Sequence, residues 1–112
     1  MVINYIPDRG DLIWLYFNPQ SGSEQSGRRP ALVLSHKSYN SKVGMLIACP
    51  VTTKIKGYPF EVPIPQDLSM DGVILSDQIK SLDWKSRKAE YISKTSDNLM
   101  ANVLAKISML IT

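Results

Sequence analysis

The sequence predicts a mainly β fold: five or six short strands forming a strongly bent sheet or small barrel, followed by a C-terminal amphipathic helix. Two observations indicate the strands. The apolar runs are short and rich in β-branched or aromatic residues, and glycine and proline punctuate the chain densely until about residue 72. The third observation is that apolar residues recur at helical spacing in the C-terminal segment.

The strand candidates are apolar runs bounded by turn residues. They cover residues 11–17, 30–35, 45–53, 60–65 and 72–83, with a shorter sixth at 88–93. The unbroken apolarity of 30–35 predicts burial on both faces. Pro50 and Pro63 indicate an edge or a bulge in their strands, because proline lacks the N–H that a strand ladder needs.

The C-terminal helix is predicted from a stripe of apolar residues spaced three or four apart. The stripe comprises Leu99, Val103, Leu104, Ile107, Leu110 and Ile111. Ser96 precedes it as an expected N-cap, and Asp97 suits the positive end of the helix dipole. One face of this helix should therefore pack on the sheet.

Length and composition fit a single domain at 1–112, because a chain of 112 residues can bury a core but leaves little room for a second one. The net charge of +3 permits a polyanionic partner without requiring one. Cys49 is the only cysteine, and its apolar neighbours predict a buried thiol. The sequence shows neither a signal peptide nor a membrane-spanning run, so we expect a cytoplasmic protein.

Two loops are candidates for function. Residues 18–29 are rich in glycine, serine and glutamine and are long for a hairpin, and loops of this length in compact domains are usually functional or disordered. Residues 53–59 combine two lysines, a glycine and an aromatic residue. This composition is typical of segments that bind single-stranded nucleic acid, since lysine attracts phosphate and an aromatic ring stacks on a base.

The residue inventory argues against several catalytic classes. His36 is the only histidine, so one chain cannot supply two imidazoles as acid and base, and we expect His36 in a turn or on the surface. The CxxC, HExxH, Walker-type and GxSxG motifs are absent, and the ten acidic residues are scattered along the chain. The sequence therefore predicts neither a metal site nor a cofactor.

Arg28 and Arg29 open the second strand directly after the first loop. They are interpreted either as a solvated charged pair or as a phosphate clamp, since guanidinium is planar, permanently charged and bidentate to phosphate. Thr52 and Thr53 end the third strand, where their hydroxyls can reach a phosphate oxygen, although β-propensity alone also explains them. The residues by themselves leave both questions open.

Three segments together resemble the MazF/PemK family of toxin ribonucleases. They are GDLIWLYFNPQSGSEQSGRRPALVLS at 10–35, CPVTTKIKGYPFEV at 49–62 and DGVILSDQIKSLDW at 71–84. These segments span most of the chain in the order and spacing of the family. The C-terminal helix matches only in its apolar pattern.

The resemblance implies a small SH3-like barrel of the CcdB/MazF type, a homodimer, and a cognate antitoxin of the MazE type. It implies a metal-independent endoribonuclease that cuts single-stranded mRNA by attack of the RNA's own 2′-hydroxyl, leaving 2′,3′-cyclic phosphate and 5′-hydroxyl ends. The family's catalytic arginine and threonine fall on Arg29 and Thr52, and its loop glutamate on Glu24. In this mechanism Arg29 stabilises transition-state charge, while Glu24 either orients Arg29 or acts as the base.

RNA binding is expected along a groove that contains these catalytic residues. The candidate residues are Phe17, Ser23, Arg28, Thr53, Lys56, Tyr58, Asp77, Gln78 and Lys80. Stacking on bases, hydrogen bonds to base edges and contacts to phosphate are the expected interactions. Two alternatives share the fold, namely a CcdB-like toxin that poisons DNA gyrase without catalysis and a passive SH3-like binding module. Fold alone does not separate these functions.

Overall fold

The computed structural model describes residues 5–17, 27–68 and 70–112. Its elements are β1 (Asp11–Tyr16), β2 (Arg28–Val33), α1 (Lys37–Val43), β3 (Met45–Thr52), β4 (Glu61–Pro63), β5 (Val73–Leu75), β6 (Lys80–Asp83), β7 (Glu90–Lys94) and α2 (Asp97–Ile111). Neither helix within these ranges combines the length and the apolarity needed to cross a membrane.

The strands pair antiparallel in the spatial order β4-β5-β3-β2-β1-β7, and β6 also pairs with β3. The predicted mainly β class and the C-terminal helix are confirmed. In the described part of the chain no ladder joins β4 to β7, so the sheet is not closed into a barrel.

The segment predicted as one strand at 72–83 is two strands. β5 pairs with the C-terminal end of β3, whereas β6 pairs with its N-terminal half. Residues 76–79 connect them, and the Gln78 N–H donates to the Leu75 carbonyl at 3.0 Å. The expectation of five or six strands is therefore corrected to seven within the described residues, because two short strands share one edge of β3.

The apolar pattern does not predict α1, because only two of its seven residues are apolar and both are exposed. The helix is held by Asn40, which is fully buried. Its side-chain amide donates to the carbonyls of Pro7 at 2.8 Å and Ser35 at 3.1 Å. His36 is exposed at the N-cap of this helix, in agreement with the expected surface position.

α2 packs on the sheet through the predicted stripe. The Ser96 hydroxyl accepts the Leu99 N–H at 3.1 Å, which confirms the N-cap. The buried helix residues are Leu99, Met100, Val103 and Ile107, with Leu104 packed against them. Leu110 and Ile111 were expected to extend the stripe but are exposed, because the core cluster under the helix ends at Ile107.

The two sides of the sheet carry separate apolar clusters, since successive residues of a strand point to opposite faces. We call the side packed against α2 the helix face; its strand residues include Leu12, Leu32, Cys49, Val51, Val62 and Ile74. We call the other side the groove face; it comprises Ile13, Leu15, Ala31, Val33, Leu46, Ala48, Leu82 and Trp84. The candidate site lies at one end of the groove face.

Candidate functional site

A cavity of about 450 Å³ opens at the end of the groove face. Strand alternation explains its position, because residues two apart point to the same side. Phe17 continues the line of Leu15 along β1, and Arg29 continues the line of Ala31 along β2. The lining residues are Phe17, Arg29, Pro50, Val51, Thr52, Leu75, Gln78, Lys80 and Leu82.

The pairing of β2 with β3 brings Arg29 and Thr52 together. Ala31 lies opposite Pro50 in this antiparallel pair, and the same register continued by two residues sets Arg29 opposite Thr52. The guanidinium and the hydroxyl therefore project into the same cavity, which both residues line.

Arg28 and Arg29 have different surroundings. The Arg28 guanidinium forms an ion pair with Glu90 and lies 4.9 Å from the centroid of the Trp14 ring. Arg29 is exposed in the cavity, and within the described residues no carboxylate or carbonyl group pairs with its guanidinium. Its donors are directed to the space where a ligand can bind.

Thr52 presents a hydroxyl whose orientation is constrained by the backbone. Its Oγ1 accepts the N–H of Lys54 at 3.1 Å. A threonine hydroxyl has one hydrogen to donate and two lone pairs to accept. Because the Lys54 amide occupies an acceptor position, the hydroxyl hydrogen remains available for an anionic oxygen in the cavity.

Two smaller cavities adjoin the first one at Thr52. One of about 270 Å³ is lined by Arg29, Pro30, Val51, Thr52, Thr53, Lys54 and Asp71. The other, of about 170 Å³, is lined by Thr52, Lys54, Lys56, Tyr58, Glu61, Leu75 and Gln78. Because Thr52 lines all three cavities, they form one continuous surface, which we call the groove. Its cations are one arginine and three lysines, so it attracts polyanions.

Glu61 holds the loop between β3 and β4 beside the groove. Its buried carboxylate accepts the N–H groups of Lys56 at 2.9 Å and Gly57 at 2.8 Å. The Tyr58 hydroxyl donates to Asp77 at 3.0 Å, which links this loop to the connection between β5 and β6. Burial and this hydrogen bond raise the pKa of Tyr58 above its ordinary value.

Most of the predicted site residues meet in the groove. These are Phe17, Arg29, Thr52, Thr53, Lys56, Tyr58, Gln78 and Lys80. Asp77 is exposed at the rim, where it accepts the hydrogen bond from Tyr58. Arg28 lies on the other side of the sheet and is not brought to the groove. Ser23 and Glu24 lie outside the described residues.

Several groove residues were not predicted from the sequence. Lys54 belongs to a loop already marked by its lysines, so the composition of that loop was a sufficient signal. Asp71 reaches the groove only because β5 pairs with the end of β3, and no local pattern indicates this. Glu61 was missed because its partners are backbone amides, which every loop possesses.

Outside the groove we examined possible metal ligands, the single cysteine and one further cavity. No cluster of three His, Cys, Asp or Glu side chains suited to a metal ion occurs within residues 5–17, 27–68 and 70–112. Cys49 is fully buried, as predicted, and burial raises the pKa of its thiol to about 12. A separate cavity of about 510 Å³, between the start of β1 and α2, contains none of the predicted site residues.

Comparisons with known proteins agree with the fold. A family model described as "PemK-like, MazF-like toxin of type II toxin-antitoxin system" matches residues 8–111. The chain is 49% identical over 111 residues to the endoribonuclease toxin MazF of Escherichia coli (strain K12), and the match covers 99% of each protein.

Two solved structures from Deinococcus radiodurans are also similar to this chain. One is MazF, with a TM-score of 0.88 and 51% identity over 96% of this chain and 98% of that one. The other is a complex of MazE and MazF, with a TM-score of 0.87 and 46% identity over 96% of this chain and 97% of that one. The likeness therefore extends over nearly the whole chain.

Proposed function

The chain belongs to the family of PemK-like, MazF-like toxins of type II toxin–antitoxin systems, and from this premise we propose that it is an endoribonuclease that cuts single-stranded mRNA at specific sequences without a metal ion. The neighbouring Arg29 and Thr52 in a cationic groove are the observation that carries the proposal. A guanidinium and a hydroxyl that line one cavity provide donors to two oxygens of one phosphate.

In the proposed reaction the 2′-oxygen before the cut attacks the adjacent phosphorus, and the bond from phosphorus to the 5′-oxygen breaks. The 2′-hydroxyl gives its proton to a base, and the leaving 5′-oxygen takes a proton from an acid. The products carry a 2′,3′-cyclic phosphate and a 5′-hydroxyl. Because the nucleophile is part of the substrate, the protein has to align the groups and stabilise developing charge.

Arg29 is assigned to the transition state and Thr52 to alignment. The non-bridging oxygens gain negative charge as the 2′-oxygen attacks, and the Arg29 donors face the space that they would occupy. One donor placed in this way is worth about 3–4 kcal/mol, or about 10²–10³ in rate. The Thr52 hydroxyl donates to a second oxygen and holds the phosphate in line with the attack.

Glu24 and Arg29 are the candidates for proton transfer, and Glu24 has two alternative roles. Glu24 lies outside the described residues and serves in this proposal either as the base or as the group that orients Arg29. The Arg29 guanidinium offers hydrogen-bond donors and no acceptor, so it suits an acid for the leaving oxygen better than a base. A pH–rate profile of Glu24→Gln separates the two, since loss of a base removes the acidic limb.

The rest of the groove is assigned to binding of the RNA strand. Phe17 offers a ring for stacking, and Gln78 offers both a donor and an acceptor for a base edge. Lys56 and Lys80 contact phosphates on either side of the cut. Tyr58 is held by its hydrogen bond to the rim and stacks on a further base.

We also propose that this protein is a single toxin domain that acts as a cytoplasmic homodimer and is silenced by a MazE-like antitoxin. The similar structure from D. radiodurans contains MazE together with MazF. Ile55 and Ile79, both exposed, neighbour groove residues in the chain and provide apolar anchors beside the cations. An acidic antitoxin segment with apolar side chains therefore fits this surface and should compete with RNA.

The proposal is tested with defined single-stranded RNA in EDTA. Cut sites are first mapped on a long RNA, and a short oligonucleotide containing one site is then compared with the same oligonucleotide carrying 2′-deoxyribose before the cut. We expect cleavage of the first, an intact second, and a cyclic phosphate identified by mass spectrometry. The deoxy substrate is the matched control, because it lacks only the proposed nucleophile.

Each other outcome contradicts a different part of the proposal. Intact RNA over a wide range of sequences, together with inhibition of DNA gyrase, would support the CcdB-like poison instead. Cleavage that requires magnesium would contradict the metal-independent mechanism alone. Cleavage of the 2′-deoxy substrate would show that another nucleophile attacks the phosphate.

A further inference from the structure

Gly72 lies directly before β5 and packs against the backbone of Thr52. Its φ of +120° falls where side chains are rarely tolerated. A Cβ placed on Gly72 would lie 2.5 Å from the Thr52 carbonyl oxygen and 3.1 Å from its carbonyl carbon. Ordinary contacts of a Cβ begin at 3.4 Å, so any side chain here overlaps Thr52 by about 1 Å.

The overlap cannot be relieved by a change of rotamer, because both partners are backbone. Val73, the next residue, is paired with Thr52 in the ladder between β5 and β3. The Gly72 carbonyl accepts the Ile64 N–H at 3.0 Å, which ties this segment to the end of β4. Since Gly72 is held on both sides, a side chain added there displaces Thr52.

A displaced Thr52 carbonyl changes the position of the hydroxyl. The carbonyl in contact with Gly72 begins the turn in which the Lys54 N–H donates to the Thr52 Oγ1. A backbone shift that moves this carbonyl away from Gly72 also moves the Thr52 Cα, which carries the hydroxyl, and disturbs its hydrogen bond from the Lys54 N–H. A shift of about 1 Å in a catalytic group can cost about 10² in rate.

We propose that Gly72 is a positioning residue whose missing side chain lets β5 approach Thr52 closely enough to fix its hydroxyl at the scissile phosphate. This inference rests on the proposed function, because it assumes that Thr52 contacts the phosphate. Gly72 lines none of the three groove cavities, so the proposed effect runs through Thr52.

Gly44 offers a matched control within the same chain. It also has a positive φ, +78°, but no heavy atom lies within 4 Å of a Cβ placed there. Gly44→Ala therefore introduces the backbone strain of a left-handed alanine without the contact. Gly44 caps α1 and lines none of the groove cavities.

The experiment compares single-turnover cleavage by the Gly72→Ala and Gly44→Ala proteins on the mapped RNA, normalised to the folded fraction measured by circular dichroism. We expect Gly72→Ala to lower the maximal rate by about 10–100-fold and to change the half-saturating enzyme concentration less than threefold. Gly44→Ala should keep the wild-type rate. An unchanged rate in folded Gly72→Ala would overturn the inference.

A double-mutant comparison shows whether Gly72 acts through Thr52. Adding Gly72→Ala to Thr52→Ala should cause no further loss of rate, because the group being positioned is already absent. Losses that multiply would overturn the inference, since Gly72 would then act elsewhere. If Thr52→Ala alone cleaves normally, the proposed role of Thr52 fails, whereas a dead Thr52→Ala beside an active Gly72→Ala refutes this inference only.

A measurement on the wild-type protein covers the case in which Gly72→Ala does not fold. Close packing against Gly72 should give the Thr52 and Thr53 amides backbone NMR order parameters near 0.85, the value of rigid elements. Values below about 0.6 would show that the contact does not hold Thr52 and would overturn the inference without any variant.

Discussion

Arg28 and Arg29 are adjacent in the chain, yet they belong to opposite sides of the sheet. Arg28 lies against Trp14 on β1 and forms an ion pair with Glu90 on β7, the strand beyond β1. Arg29 lies at the end of the groove face, opposite Thr52, and lines two of the three groove cavities. An arginine therefore contacts other side chains of the same fold at one position and lines a binding surface at the next.

Strand geometry is the cause of this difference. A strand alternates its side chains between two faces, so neighbouring residues of one type meet different partners. On the side of Arg28, protein groups supply an anion and an aromatic ring. On the side of Arg29, the described residues leave its donors directed into a groove with lysines and a threonine hydroxyl. A ligand with negative charge is the partner that completes this side.

The largest expected effect comes from exchanging the two arginines for alanine one at a time. Arg29→Ala should lower the cleavage rate by about 10²–10³, equal to about 3–4 kcal/mol of transition-state stabilisation. Arg28→Ala removes the same charge but only a surface ion pair, which is worth about 0–1 kcal/mol of stability. Single-turnover cleavage and urea unfolding of both proteins provide the measurement.

The two variants control for each other, because each lowers the net charge by one. If Arg28→Ala slows cleavage as strongly as Arg29→Ala, the assignment of the two faces is wrong and long-range charge dominates. Arg29→Lys sharpens the comparison further: it retains the charge but loses the planar fork, and it should remain strongly impaired.

Local sequence signals predicted the secondary-structure elements that are stabilised by residues within the element itself. α2 follows from its apolar spacing and from Ser96, whose hydroxyl caps the first turn. α1 was missed because its anchor is tertiary: Asn40 is buried among groups of the chain that precede the helix. The division of 72–83 into two strands was missed because no glycine or proline interrupts residues 73–83.

The candidate site rests on the resemblance more than on local pattern. Arg29 and Thr52 are far apart in the chain, and their proximity comes from the register of β2 with β3, which no local signal specifies. Glu61 and Gly72 contact backbone groups, and a sequence does not show which carbonyl or amide lies beside a given residue. Arg28 was grouped with Arg29 because the sequence alone does not show which of two adjacent strand residues faces the groove.

A smaller effect is expected from the substitution of Glu61, and Glu90 on the other side of the sheet serves for comparison. Glu61→Gln weakens charge-assisted hydrogen bonds to the Lys56 and Gly57 amides, so the loop must be ordered when RNA binds. We expect the Kd for a 2′-deoxy, non-cleavable oligonucleotide to rise about tenfold, or about 1.4 kcal/mol. Fluorescence anisotropy at constant ionic strength measures this.

Glu90→Gln is the matched control, because it removes the same charge beside Arg28 and away from the groove. Its Kd should stay within about twofold of wild type. Equal weakening in both variants cannot arise from charge, since losing an anion favours RNA binding. That result would mean that the loop is not held by Glu61 in the way the hydrogen bonds indicate.

The smallest expected effect concerns Cys49, which lies on the helix face and is closed to solvent. Burial, together with the charge of Asp77, raises the pKa of its thiol from 9.0 to about 12, so the folded protein holds this proton more tightly than the unfolded chain. The resulting stability is complete below pH 9 and is lost progressively as the pH rises toward 12.

Relative to Cys49→Ala, the wild-type protein should lose about 1 kcal/mol more unfolding free energy between pH 7.5 and 9.5. Tyrosines with raised pKa values titrate in both proteins, so their contribution cancels in the difference between the two urea titrations. Equal losses would mean that water reaches the thiol, and the helix face would then be less tightly closed than its packing against α2 indicates.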